Sequence, residues 1–242
     1  MTGLKTYILH LPRSRARKQN VDRLMNVFGG DALVHEGVDG EQLTRQNISE
    51  VMGDGFAPRY PFTLRRGEIA AFLSHRACWK RILDEGVDAA LVIEDDVFLN
   101  TRFDEALELS RRSLGESMLI RFPVQNRERP DRVLATRQKT QLFRPRVIGL
   151  GMQAQLVTRG AAERLLETSN CFDRPVDTFI QARWLHEADV LSVWPSGVTE
   201  MSADLGGSLI GETKGVGDRI SRELRRPIYR AIVALKSRRN RA

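Results

Sequence analysis

Three consecutive carboxylates, Glu94-Asp95-Asp96, follow directly on the apolar run Ala89-Ala90-Leu91-Val92-Ile93. A short continuous apolar run is the pattern of a strand buried on both faces of a sheet. Side chains alternate along a strand, so Glu94 and Asp96 are expected on one side and Asp95 on the other. Carboxylates crowded at a strand end repel one another and lose hydration. A bound cation relieves both penalties, and hard oxygen ligands suit Mg²⁺ or Mn²⁺. Ligands of open α/β sheets also lie beyond the carboxyl ends of strands. The plainer role for Asp95 and Asp96 is to cap the loop before Val97.

Strands alternating with helices surround this run. Tyr7-Ile8-Leu9-His10-Leu11 reads as a first strand, closed by Pro12 and a basic turn. A helix over 15–28 follows, with Val21, Leu24, Met25 and Phe28 at helical spacing and Gly29-Gly30 at its end. A second strand over 32–38 stops at Asp39-Gly40. Residues 44–66, with Gly53, Gly55, Pro58 and Pro61, read as a loop. The spacing of Ile69, Phe72, Leu73, Ala77 and Leu83 predicts a helix over 67–85, stopped by Gly86. Further helices are expected over 103–114, 161–167 and 175–187, the last with Pro175 in its first turn. Further strands are expected over 118–122, 152–157 and 190–194. The Arg- and Pro-rich stretch 123–147 reads as an irregular insertion. The order predicts an α/β fold with a mostly parallel sheet and helices on both faces.

The text around the acids is more specific. Gly67-Glu68-Ile69-Ala70-Ala71-Phe72-Leu73-Ser74-His75, then Trp79, then Ala90-Leu91-Val92-Ile93-Glu94-Asp95-Asp96-Val97 resembles glycosyltransferase family 25, the lipooligosaccharide galactosyltransferases and their relatives. The resemblance extends from Tyr7-Ile8-Leu9-His10-Leu11-Pro12-Arg13-Ser14 through Val38-Asp39-Gly40 and Arg174-Pro175-Val176-Asp177. It ends near Gly206-Gly207-Ser208-Leu209-Ile210-Gly211.

It implies a GT-A-type, Rossmann-like domain over 1–217. It also implies inverting transfer of a hexose, commonly from UDP-galactose, to a lipopolysaccharide, lipooligosaccharide or other glycolipid acceptor. By the same resemblance Asp96 is the primary ligand of Mn²⁺ or Mg²⁺, with Glu94 assisting it or holding the ribose. The donor nucleotide would contact Leu11, Arg13, Asp39, Gly40, Ser74, His75, Glu94 and Asp95.

The chemistry accounts for the residue types. A metal neutralises the departing diphosphate, and the acceptor hydroxyl needs a carboxylate or imidazole for its proton. Asp177 is the candidate general base or acceptor ligand; the alternative is a carboxylate satisfying free N–H groups at a helix start. Glu200 is either a second acid near the metal or a solvated loop acid. His75 either faces the nucleotide or is a satisfied helix histidine. Arg13 and Arg17 either meet the diphosphate or stay solvated. Where relatives read Gly-Thr-Ala-Gly-Tyr, this chain has Gly151-Met152-Gln153-Ala154-Gln155, which leaves the donor sugar open. A metal-dependent hydrolase fits poorly, because no His-Asp cluster is visible. A non-catalytic binding module is the other rival.

The chain has 242 residues and a net charge of +7. Residues 219–242 hold nine basic residues against Glu223, a net of +8, which leaves −1 for the rest. Among those arginines Ile220, Leu224, Ile228, Ile232 and Leu235 repeat at helical spacing, with Pro227 expected to split the stretch. An apolar stripe with a basic face suits a helix lying in an anionic membrane interface, each basic residue contributing about 1 kcal/mol. Residues 218–242 are therefore expected to form a membrane-associating tail, with no role in nucleic-acid binding. Cys78 and Cys171 fit a reducing compartment as small buried hydrophobes. No signal-peptide pattern or membrane-spanning run is visible. The expected location is cytoplasmic, peripheral on the inner face of the cytoplasmic membrane.

Overall fold

The computed structural model describes residues 4–201 and 216–239, with side chains from residue 225 in the second stretch. Strand β1 (Lys5–His10) leads through a 3-10 turn at Arg15–Arg17 into α1 (Lys18–Phe28), followed by β2 (Ala32–Glu36) and the short α2 (Arg45–Val51). Helix α3 (Arg66–Asp84) precedes β3 (Ala89–Glu94), β4 (Val97–Leu99), α4 (Phe103–Arg112) and β5 (Met118–Arg121). Strands β6 (Pro130–Arg137), β7 (Thr140–Pro145) and β8 (Ala154–Thr158) come next, then α5 (Arg159–Thr168), α6 (Val176–Gln181) and α7 (Arg183–His186). Strands β9 (Asp189–Trp194) and β10 (Val198–Glu200) and helix α8 (Val216–Arg239) complete the described chain.

Eight strands form one sheet in the order β2-β1-β3-β8-β5-β9-β7-β6, and β10 pairs with β4 beside it. Six of the eight run in one direction; β7 and β8 oppose them. The period of two in β3 builds both faces. Ala90 and Val92 pack with Phe72 and Trp79 of α3, while Leu91 and Ile93 pack with Leu24 and Phe28 of α1 and Phe103 of α4. Each such large side chain removed from water contributes about 1.5–3 kcal/mol. Helices therefore cover both faces, and β3 is held from each side.

Several expectations are corrected. Residues 45–51 are helical, not loop, because Thr44 and Asn47 form a reciprocal capping box. The stretch 123–147 contains the antiparallel hairpin β6–β7 at the sheet edge. The helix expected over 175–187 breaks at Ala182 into α6 and α7. Pro227 lies inside one continuous α8 instead of splitting it. The face of α8 against the body carries Tyr229, Val233 and Ser237, whereas Ile228 and Leu235 of the expected stripe are exposed. Ile220 and Leu224 lie outside the residues whose side chains are described. Cys78 is buried as expected, but Cys171 is exposed. No helix among the described residues is long and apolar enough to cross a membrane.

Candidate active site

The acids stand where β1 and β3, parallel neighbours, present their carboxyl ends on one edge, with Leu9 opposite Glu94. β3 stops at Glu94, and Asp95 and Asp96 form a turn into β4. Strand alternation therefore does not reach them, and they do not point apart. Both meet one guanidinium: Arg17 Nη1 lies 2.7 Å from Asp95 Oδ1 and 3.0 Å from Asp96 Oδ2. Arg17 is only 6% exposed, so it is not a solvated turn residue. His10 Nδ1 donates to Asp95 Oδ2 at 2.7 Å, and Asn20 Nδ2 donates to the carbonyls of Asp95 and Val97. The Met201 N–H donates to the carbonyl of Asp96 at 2.7 Å.

Asp95 is thus satisfied on both oxygens, whereas buried Asp96 Oδ1 has no hydrogen-bond partner among the described residues. Burial first and the neighbouring Glu94 second push the Asp96 carboxyl up to about 7, against the pull of Arg17. A divalent ion suits this atom. Among the described residues no three His, Cys, Asp or Glu side chains cluster as a cage. Mg²⁺ commonly takes one or two carboxylates and leaves its other positions to water and substrate phosphates. Asp96, with Glu94 beside it, fits that shared kind of site.

Helix α3 supplies the second wall. His75 Nε2 lies 3.2 Å from Glu94 Oε1, and Gln155 Nε2 lies 3.0 Å from His75 Nδ1 and 3.3 Å from the Met152 carbonyl. With the Gln155 amide donating to Nδ1, the histidine proton sits on Nε2, directed at Glu94. Gln155, an unexplained departure in the sequence, therefore orients His75, which in turn orients Glu94. Ser74 Oγ accepts from the Val38 N–H at 2.8 Å and donates to the Ala70 carbonyl, tying the loop after β2 to α3. A Cβ at Gly40 would lie 3.0 Å from the backbone of Arg66, so only glycine passes there without displacement.

These walls enclose a cavity of about 360 Å³ that brings together Leu11, Arg13, Gly40, Ser74, His75, Glu94, Asp95 and Asp96 of the expected site. Asp39 lines an adjoining recess and accepts from Arg13 Nε at 3.0 Å; Arg13 also reaches Glu41. Glu200 lines the main cavity, as do His10, Arg17, Arg65, Arg66 and Gln153. Arg65 and Arg66 open α3 and follow a loop-like stretch, and nothing in their local spacing marked them. Guanidinium groups in one cavity with a carboxylate oxygen that has no partner among the described residues suit a phosphate-bearing ligand together with a cation.

Asp177 stands outside the lining of both cavities. Its Oδ2 accepts from the Gly151 N–H at 3.1 Å and its Oδ1 from the Thr178 N–H at 2.7 Å, so it closes a helix start and holds the loop that leads to Gln153. The same loop is anchored by a buried pair: Arg121 donates to Glu128 and to the carbonyls of Leu150 and Gly151, and Glu128 accepts from the Gly149 N–H.

Comparison with known proteins finds relatives among glycosyltransferases. The human procollagen galactosyltransferase 2 is 31% identical over 117 residues, spanning 47% of this chain and 19% of that protein. A glycosyltransferase 25 family member of Drosophila melanogaster is 31% identical over 98 residues, covering 38% of this chain and 16% of its own length. One from Anopheles gambiae is 34% identical over 96 residues, with 38% and 16% covered. The matches thus span about a fifth or less of these relatives' lengths. Residues 4–180 match the family model described as glycosyltransferase family 25 (LPS biosynthesis protein), and over that stretch, most of its length, this chain belongs to glycosyltransferase family 25.

Proposed function

We propose that the chain transfers a hexose from a nucleoside diphosphate donor, UDP-galactose or a related UDP-sugar, to a hydroxyl of a lipopolysaccharide, lipooligosaccharide or other glycolipid acceptor. The supporting observation is one cavity that joins Arg13, Arg17, Arg65 and Arg66 to Asp96, whose Oδ1 lacks a partner among the described residues. The arginines suit a diphosphate, the carboxylate suits a cation, and a donor of this class brings the two needs together. The names of the relatives support galactose as the sugar. The strand directions and the ligand edge at β1 and β3 support a GT-A-type domain.

In this reading Asp96 with Glu94 would hold Mn²⁺ or Mg²⁺, which would supply positive charge against the departing diphosphate. The acceptor oxygen bonds to the anomeric carbon from the opposite face, which inverts it. Its proton passes to a carboxylate of the wall, which we assign to Glu200. Asp177 then acts at one remove, by fixing the Gly151–Gln153 segment. Gln155 and His75 keep Glu94 turned into the cavity. A cytoplasmic location is part of the proposal, supported by the two unpaired cysteines.

Incubation with a panel of nucleotide sugars, Mn²⁺ and a glycolipid acceptor tests this reading. A product heavier by one hexose is expected from UDP-galactose or a related UDP-hexose. Release of free sugar without acceptor modification would instead make the chain a hydrolase.

A further inference from the structure

Helix α8 presents two different faces. Tyr229, Val233 and Ser237, four residues apart, are buried against the body. That face is also tied by polar contacts: Arg174 donates to Tyr229 Oη, Lys236 Nζ donates to the Ala57 carbonyl at 2.8 Å, and the Tyr60 and Tyr229 rings meet edge to face. Ile228 and Leu235 are 64% and 58% exposed and, with Ala231, lie three to four residues apart on the opposite side of the helix. At helical spacing the exposed Arg225, Arg238 and Arg239 flank that ridge, and no acid occurs between residues 225 and 239.

A helix docked on its own protein needs only one apolar face. The second ridge, flanked over residues 225–239 by cations and by no acid, matches a planar anionic surface: aliphatic side chains enter the headgroup boundary while guanidiniums meet lipid phosphates. We propose that the outward face of α8, through Ile228, Ala231 and Leu235 and the arginines beside them, docks on an anionic lipid bilayer. Because Tyr229 and Val233 hold α8 to the body, docking brings the folded domain to the bilayer as a unit and not on a loose tether. None of these side chains lines the cavity, so this inference does not rest on the transfer reading.

Sedimentation of the full chain with phosphatidylglycerol-containing vesicles, against phosphatidylcholine vesicles, tests the proposal. Removal of α8 is a poor probe, since it would uncover the body under Tyr229 and Val233. The informative variant is Ile228→Asp with Leu235→Asp, and a second is Arg225→Gln with Arg238→Gln and Arg239→Gln. The parent should bind anionic vesicles, and added salt should weaken binding. The aspartate pair should weaken it by more than about tenfold at unchanged Tm. The glutamine variant should lose the preference for anionic over neutral lipid. Equal binding of parent and aspartate pair, or equal binding to neutral and anionic vesicles, overturns the proposal. So does a parent that binds a DNA or RNA duplex and no vesicle. A parent dimer in light scattering that the aspartate pair converts to monomer would assign the face to a second copy instead.

Discussion

Asp96 holds a carboxylate where charge is resisted: burial raises its titration, Glu94 adds to the rise, and only Arg17 opposes it. The folded state therefore keeps a proton that the unfolded chain releases. Its contribution to stability is present below the ordinary carboxylate range and is lost as pH rises through the raised value. Asp96→Asn removes that loss. In metal-free buffer, the Tm of the variant relative to the parent should rise between about pH 4 and about pH 7 and level off above that. A flat difference would mean that Asp96 is ionised throughout. A second pair of variants assigns the acceptor's proton. Glu200→Gln should lower turnover by about 10²–10⁴-fold with little change in donor affinity. Asp177→Asn should act mainly on the acceptor KM, through the Gly151 loop. If Asp177→Asn shows the large loss and Glu200→Gln is silent, the roles are exchanged. The acidic run was legible because three carboxylates after a buried strand need an explanation. Arg17 was singled out only for the diphosphate, and its pairing with these acids was not legible, since nothing local links two residues 78 positions apart.

At the scale of elements, the sequence was most readable where burial writes a period. β3 is apolar on both faces and α3 carries a buried stripe, so both were visible within a residue or two of their ends. β6 is almost wholly exposed and rich in arginine, so it carries no alternation to read. β7 is mostly buried, but its buried positions include Thr140 and Pro145 and its apolar residues are only Leu142 and Phe143, so it shows neither an apolar run nor a clean alternation. Helix α2 was missed although Thr44 and Asn47, three apart, had spelled its cap. The loop between β7 and β8 gains its shape from a contact that no period announces. Glu128 accepts from Arg121 and from Gly149, and all of these groups are buried or half-buried. Glu128→Ala leaves the Arg121 guanidinium buried without its counter-charge. The variant should lose about 3–5 kcal/mol in denaturant unfolding and acceptor affinity with it. A loss below about 1 kcal/mol would mean that water or another group compensates Arg121.

Across the whole molecule, Arg174 links parts that the sequence lists far apart. It is fully buried, pairs with Asp173, donates to the Pro58 carbonyl and to Tyr229, and sits 5.2 Å from the Phe56 ring centroid. Asp173 in turn accepts from the Tyr60 N–H. One buried cation thus joins the start of α6, the segment that runs to Arg65 and Arg66, and α8. The block that contains Arg174 was read first as part of a family text and second as a helix start. Its work in these contacts is to hold the rim of the cavity and the C-terminal helix on one frame.

Within that frame, the proposed transfer requires the edge of β1 and β3 to bind a nucleoside diphosphate together with a divalent cation at Asp96. Titration calorimetry of UDP into the parent and Asp96→Asn, each with and without Mn²⁺, tests it most directly. The parent should bind UDP only with Mn²⁺, and the variant should not bind it. UDP binding of equal strength in all four titrations, or none in any, would contradict it.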